Sequence, residues 1–412
     1  MPASADFPAR DGLRYGALGF ALAFVALPLY VHLPAHYATR YGVPLASLGA
    51  LLLAARALDA FVDPWIGRLC DRVLGRRALA WQLPAAALLL TAGFVALFFP
   101  VPREPAALLA WAGAGLVLTY LAYSFVAVLH QAWGARLGGS AARQSGIVAW
   151  REGFALVGVV TASLLPSVLG FGAMAAALAV SLAVGLVLLG FAPRPPVSDS
   201  LPVPLALAWR VPEFRRLLAV FLLNGIAAAV PATLLLFFID DRLRLPESQG
   251  LFLASYFVAA VVSLPVWLRV IARLGQPRAW ALGMALSVAA FGWAAALGAG
   301  DKAGFLAVCI ASGAALGADL AVPGAMLAGV IQRAGLAGRA EGAFFGWWNA
   351  ATKLNLALAA GLALPLLQLL GYAPGQHDPQ ALQALTIAYC LLPCALKLAA
   401  AALLYRHFIA TP

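Results

Sequence analysis

Two carboxylates, Asp59 and Asp63, stand four residues apart in an otherwise apolar stretch, with Arg56 three residues before the first. On a helix all three share one face. An ionisable group at membrane depth costs roughly 2.5–3.5 kcal/mol on insertion scales, so such groups usually line a cavity and act there. Such a pair is either salt-bridged to Arg56 and Lys353 for structure or, in a low-dielectric cavity, takes a metal ion or a proton and switches occupancy with conformation. Eight residues past Asp63, Asp71 sits in Gly67-x-x-x-Asp71-Arg72-x-x-Gly75-Arg76-Arg77, which reads as a short basic loop leaving the membrane. Pair and loop together outline a cation-coupled carrier.

Other polar residues fall inside apolar runs. Lys353, with Asn355 nearby, is either a counter-ion for helix packing or a competitor of the cation for Asp59 or Asp63. Arg151 either pairs with its neighbour Glu152 or faces a cavity. Asp319 is either a ligand-side acid or a partner for a backbone break at Pro323. Of the tryptophans, Trp347 and Trp348 read first as packing residues, and they are also the best placed to stack on a ligand. The candidate substrate and coupling set is therefore Arg56, Arg151, Lys353, Asp319, Asn224, Tyr123 and Trp348. The candidate cytoplasmic gate is Asp71, Arg72, Arg76, Arg77, Arg143 and Arg339, against the plainer reading of ordinary flanking charge. No resident metal or cofactor is expected beyond a coupling ion at Asp59 and Asp63. His32 and His36 have zinc-like spacing, but Pro34 lies between them and no acid is near. Cys70, Cys309, Cys390 and Cys394 have no His or acid companions.

The elements that must hold these residues follow from composition. Of 412 residues, 64% are hydrophobic and 10% charged, which excludes an ordinary soluble fold. The net charge of +11 does not point to nucleic acid, because the arginines cluster between apolar runs. Spans of about 20 apolar residues are predicted at 15–35, 45–67, 78–99, 107–133, 145–168, 173–192, 214–238, 249–271, 279–299, 303–331, 341–370 and 382–405. With both termini cytoplasmic, the cytoplasmic segments hold 18 of the 27 Lys and Arg and the outer loops five. The polar first fourteen residues and the length of the first span predict no cleavable signal peptide. Five prolines begin the stretch Pro193–Glu213, predicted as a cytoplasmic linker between halves 1–192 and 214–412. Arg143-x-x-Gly146 recurs 196 residues on as Arg339-x-x-Gly342, and Arg77 as Arg273. Duplicated halves place a substrate site at their interface.

The twelve spans, the duplicated halves and the loop motif resemble the major facilitator superfamily. Within it, Arg56-Ala-Leu-Asp59-Ala-Phe-Val-Asp63-Pro64-Trp-Ile-Gly67 resembles the second-helix signature of the glycoside–pentoside–hexuronide:cation symporters. Tyr15 to Gly19, Asn224-Gly225, Pro231, Lys353 and Leu370-Gly371-Tyr372 agree with it along the chain. The resemblance implies that Asp59, Asp63 and Thr119 bind the coupling cation and that Arg151 and Lys353 match a family arginine and lysine. It also shows departures. The family's sugar permeases carry an acid in helix I, where this chain is apolar from Phe20 to Ala23, and an acid and a tryptophan in helix IV, where it has Ala122 and Val126. By the 196-residue offset, Asp319 sits beside the equivalent of Ala122, where it would replace the acid that helix IV lacks.

The expected fold is an all-α polytopic membrane protein, twelve helices in two six-helix pseudo-symmetric bundles. The expected function is H+ or Na+ symport of a small organic solute, a sugar or glycoside, by alternating access. The alternatives are a lysolipid or other amphiphile transporter of the same fold and a polytopic membrane enzyme. The missing fourth-helix acid tilts the coupling ion toward H+. The expected partners are the solute and the bilayer, not nucleic acid, and the chain is expected to be a monomer in a bacterial cytoplasmic (inner) membrane.

Overall fold

The computed structural model describes residues 7–74, 76–196, 204–372 and 375–410. Gly75 of the loop motif and residues 197–203 of the predicted linker lie outside the described residues. Helices run in the order α1 (Ala9–Leu27), α2 (Leu33–Tyr41), α3 (Leu45–Val73), α4 (Leu79–Phe98), α5 (Pro105–Arg136), α6 (Ala141–Gly190), α7 (Leu207–Arg210), α8 (Pro212–Phe237), α9 (Gln249–Leu274), α10 (Gln276–Ala294), α11 (Lys302–Ala321), α12 (Pro323–Arg333), α13 (Glu341–Leu369), α14 (Pro379–Thr386) and α15 (Leu392–Leu404). Short π-helical turns join α1 to α2 and α14 to α15, and extend α8 and α15.

These helices group into the twelve predicted passes. Eight helical stretches among the described residues are long and apolar enough to cross a bilayer by length and composition. The long helix α3 is not one of them, because Arg56, Asp59, Asp63 and Arg68 interrupt its apolar run. Passes five and six form one continuous segment, α6, which turns at Gly170. There φ is +79°, a conformation that glycine adopts without the steric penalty of a Cβ.

The chain divides into two compact units. The first comprises Met1–Arg210 and Ala328–Ala350; the second comprises Val211–Leu327 and Ala351–Pro412. The division at Arg210 falls inside the predicted linker. The segment Ala328–Ala350, which follows α11 in the chain, packs with the first unit. In the first unit α1 packs on α6, and α3 and α4 pack on α5. The linker contributes α7, whose Trp209 meets the Trp347 ring edge to face at 5.2 Å, while Trp347 Nε1 donates to Leu205 O. In the second unit α9 and α10 pack on α11, and α15 packs on α8 and α10. Its aromatic core stacks Phe238 on Tyr389 at 4.2 Å, with Phe305 and Phe252 behind.

Candidate functional site

Helix α3 carries Asp59 and Asp63 one turn apart, 2% and 0% exposed. The neighbouring α5 meets this face with Tyr120, Tyr123 and Ser124, which helical spacing puts on one side. The Ser124 hydroxyl donates to Asp59 Oδ1 at 2.8 Å. The Arg56 guanidinium lies over the Tyr120 ring, 5.5 Å from its centroid. Tyr123 lies within electrostatic reach of Arg56, Asp59, Asp63 and Glu152. Pro64 sits inside α3 and has no N–H, so it cannot close the helical bond to the Ala60 carbonyl. Two carboxylates, a hydroxyl and a proline-freed carbonyl are all hard oxygens, the donor type suited to H+ or Na+.

Thr119 is fully buried, but its hydroxyl donates to Gly115 O of its own helix at 2.7 Å. It also abuts Gly93 of α4, where a Cβ would lie 2.5 Å from Thr119 Oγ1. The hydroxyl recorded on Asp59 therefore belongs to Ser124, which the sequence reading passed over. Its signal was the Tyr120–Ser124 spacing of four on α5. Ala122 and Val126, the departures from the sugar permeases, are both buried.

Arg151 pairs with Glu152, Nη2 to Oε1 at 2.6 Å. Beside them α1 and α5 are stitched by Tyr15 and His130: the Tyr15 hydroxyl donates to His130 O at 2.8 Å, and His130 Nε2 bonds Tyr15 O at 2.8 Å. His130 is fully buried and was also missed. On α2, His36 Nε2 bonds Phe98 O at 3.1 Å and its ring meets Phe171 at 4.7 Å.

Near the end of α3, Asp71 accepts three hydrogen bonds. Its Oδ1 takes Arg136 Nη2 at 2.9 Å and the Gly342 N–H at 2.8 Å; its Oδ2 takes the Ala343 N–H at 2.8 Å. Arg136 donates onward from Nε to Glu341 Oε2 at 2.9 Å and from Nη1 to Leu74 O. Glu341 Oε1 accepts from Gly338 N. Helix α13 starts at Glu341 and is preceded by Ala340, which has no side-chain oxygen to cap it. Asp71 supplies that cap from another helix, with the negative charge favoured at a helix start. The Asp71 and Arg136 side chains are each 1% exposed. Close approach of α3 and α13 depends on glycine: a Cβ at Gly346 would lie 2.6 Å from Asp63 O. Of the predicted gate, Arg72, Arg76, Arg77 and Arg339 are exposed, and Arg143 lies 5.9 Å from the Phe7 ring centroid. The partners actually gathered on Asp71 are Arg136 and the start of α13.

The second unit has its own polar cluster. Asp319 Oδ1 accepts from Asn224 Nδ2 at 2.9 Å and from Trp280 Nε1 at 2.7 Å. Lys397 Nζ donates to Asp319 Oδ2 and to Asn224 Oδ1, each at 2.9 Å. The sequence reading brought forward Asp319 and Asn224 but gave Lys397 and Trp280 no role. Lys353 is half-buried on α13 in this unit, and Trp348 is buried in the first.

Comparison with known proteins bears on the whole chain. Residues 13–192 and 205–410 match the family described as MFS/sugar transport protein. The inner membrane symporter YicJ of Escherichia coli strain K12 is 24% identical over 273 residues, 61% of this chain and 59% of YicJ. The chain thus spans about three fifths of the length of that curated relative. Among solved structures, a bacterial homologue of the iron transporter ferroportin in an outward-facing state aligns with a TM-score of 0.72 at 17% identity, covering 97% of this chain and 99% of that one. The major facilitator superfamily transporter FucP, in the outward conformation, aligns at 0.66 and 14%, covering 94% and 98%. These likenesses show the fold. The chain belongs to the MFS/sugar transport protein family. By that membership it is a multi-pass membrane transporter of the major facilitator fold.

Proposed function

We propose that this member of the sugar-transport family moves a small organic solute in symport with H+ or Na+ by alternating access. The observation that carries the reading is the buried pair Asp59 and Asp63 on α3, with the Ser124 hydroxyl on Asp59. Two carboxylates buried at membrane depth are too costly to keep for packing alone. Loading them with a cation neutralises the site and links its charge state to conformation. YicJ, an inner membrane symporter, supports both the coupling and a bacterial inner membrane location. The arginine distribution supports cytoplasmic termini. On that orientation the Asp71–Arg136–Glu341 latch lies on the cytoplasmic side, and its opening accompanies the change of access.

The solute is a sugar or glycoside by family. Buried Ala122 and Val126, standing where the sugar permeases have an acid and a tryptophan, favour a less polar ligand, and a lysolipid or other amphiphile is the second reading. The test is uptake into proteoliposomes under an imposed H+ or Na+ gradient, with candidate sugars, glycosides, sugar acids and lysolipids. Asp59→Asn and Asp63→Asn should abolish uphill accumulation and spare exchange. If both variants accumulate solute like the parent, the coupling assignment is wrong.

A further inference from the structure

A cavity of about 300 Å³ opens in the second unit. It is lined by Pro212, Arg215, Arg216 and Ala219 of α8, and by Leu403 and His407 at the end of α15. The two helices pack together, so the first turns of α8 lie beside the last residues of α15. Both arginines are exposed at the edge of the apolar run that begins at Leu217. That places them at headgroup depth, not in the bilayer centre. Tyr405, 60% exposed on the neighbouring π turn, is the amphipathic residue type that settles at this boundary. Leu398, 56% exposed about two turns deeper, presents an apolar surface to lipid.

The lining sorts by chemistry. Pro212, Ala219 and Leu403 make an apolar floor. Arg215, Arg216 and His407 make a basic rim. Glu213 is the acid in the first turn of α8, so the rim stays net positive. Guanidinium groups bind phosphate oxygens bidentately, and the start of α8 adds the positive end of a helix dipole. A neutral solute gains little from such a rim.

We propose that this cavity is a binding site for the phosphate headgroup of an anionic phospholipid, with its acyl chains against the exposed apolar face of α15. Basic pockets between transmembrane helices at the membrane boundary suit such headgroups. The proposal does not depend on the coupling reading.

The test uses the full-length protein in neutral detergent, titrated with phosphatidylglycerol, phosphatidylcholine or inorganic phosphate and followed by thermal unfolding and native mass spectrometry. A ligand that binds the folded protein raises its unfolding temperature by mass action. Phosphatidylglycerol should stabilise and remain bound; phosphatidylcholine and phosphate should not. The double substitution Arg215→Ala, Arg216→Ala should weaken the phosphatidylglycerol response about thirtyfold. Equal responses to the two lipids overturn the proposal, as does an undiminished response in the variant. A phosphate response matching that of the lipid overturns the lipid assignment. If the double variant does not fold, His407→Ala and a salt titration decide. The response should then fall in the variant and with rising ionic strength, and constancy in both refutes the site.

Discussion

The Ser124 hydroxyl on α5 donates to Asp59 Oδ1 on α3 at 2.8 Å, with both residues buried. Thr119, five residues earlier on α5, bonds instead to the Gly115 carbonyl of its own helix. The two hydroxyls therefore have different expected roles. A hydrogen bond to a charged group is worth about 1.5–3 kcal/mol. Ser124→Ala should shift the cation concentration for half-maximal uptake at least about tenfold. Thr119→Ala should shift it less. Cation titration of uptake in the two variants checks this, and a larger effect of Thr119→Ala would return the site to the set implied by the family resemblance.

The Asp71–Arg136 pair should behave as a unit. Removing one partner of a buried ion pair costs about 3–5 kcal/mol because a charge is left uncompensated. Asp71→Asn and Arg136→Met should each lower thermal stability strongly. The double variant should lose less than the sum, measured as a double-mutant cycle of unfolding temperatures. Additive losses would mean that the cap on Gly342 and Ala343, not the arginine, holds Asp71 in place.

Two glycines of the first unit should respond differently to the same substitution. A Cβ at Gly346 meets Asp63 O at 2.6 Å and Pro64 Cα at 2.9 Å; one at Gly49, also helical, meets nothing within 4 Å. Gly346→Ala should destabilise by about 1–3 kcal/mol through overpacking. Gly49→Ala should be neutral, or stabilise by up to about 1 kcal/mol through helix propensity. Thermal unfolding of the two variants side by side is the measurement.

In the second unit, Lys397→Ala should leave the largely enclosed Asp319 carboxylate, its side chain 13% exposed, beside Asn224 and Trp280 without its cation. A loss of about 3–5 kcal/mol is expected, and Asp319→Asn added to Lys397→Met should recover much of it. Transport by the paired variant then reports function apart from folding. Activity near that of the parent would make the pair structural; inactivity with restored stability would make Asp319 or Lys397 a working group.

Much of this protein follows from residue types and their order. Twelve passes are legible because burial in lipid demands long apolar runs. The chain reversal near Gly170 falls in the gap predicted between 168 and 173, since the apolar pattern pauses there. Asp59, Asp63, Asp71 and Asp319 stand out because the cost of a charge in an apolar run is a property of each residue alone. Their partners are a different kind of fact. Ser124, Arg136, Glu341, Lys397 and Trp280 lie 39 to 270 positions away from the acids they serve or join. Which of them faces which depends on how each helix is rotated, and one residue turns a helix by about 100°. A shift of that size would exchange Ser124 for an apolar neighbour without altering composition or hydropathy. The acids were therefore set by local sequence, and what each acid holds was decided by tertiary packing, because only packing fixes the rotation and register of one helix against the next.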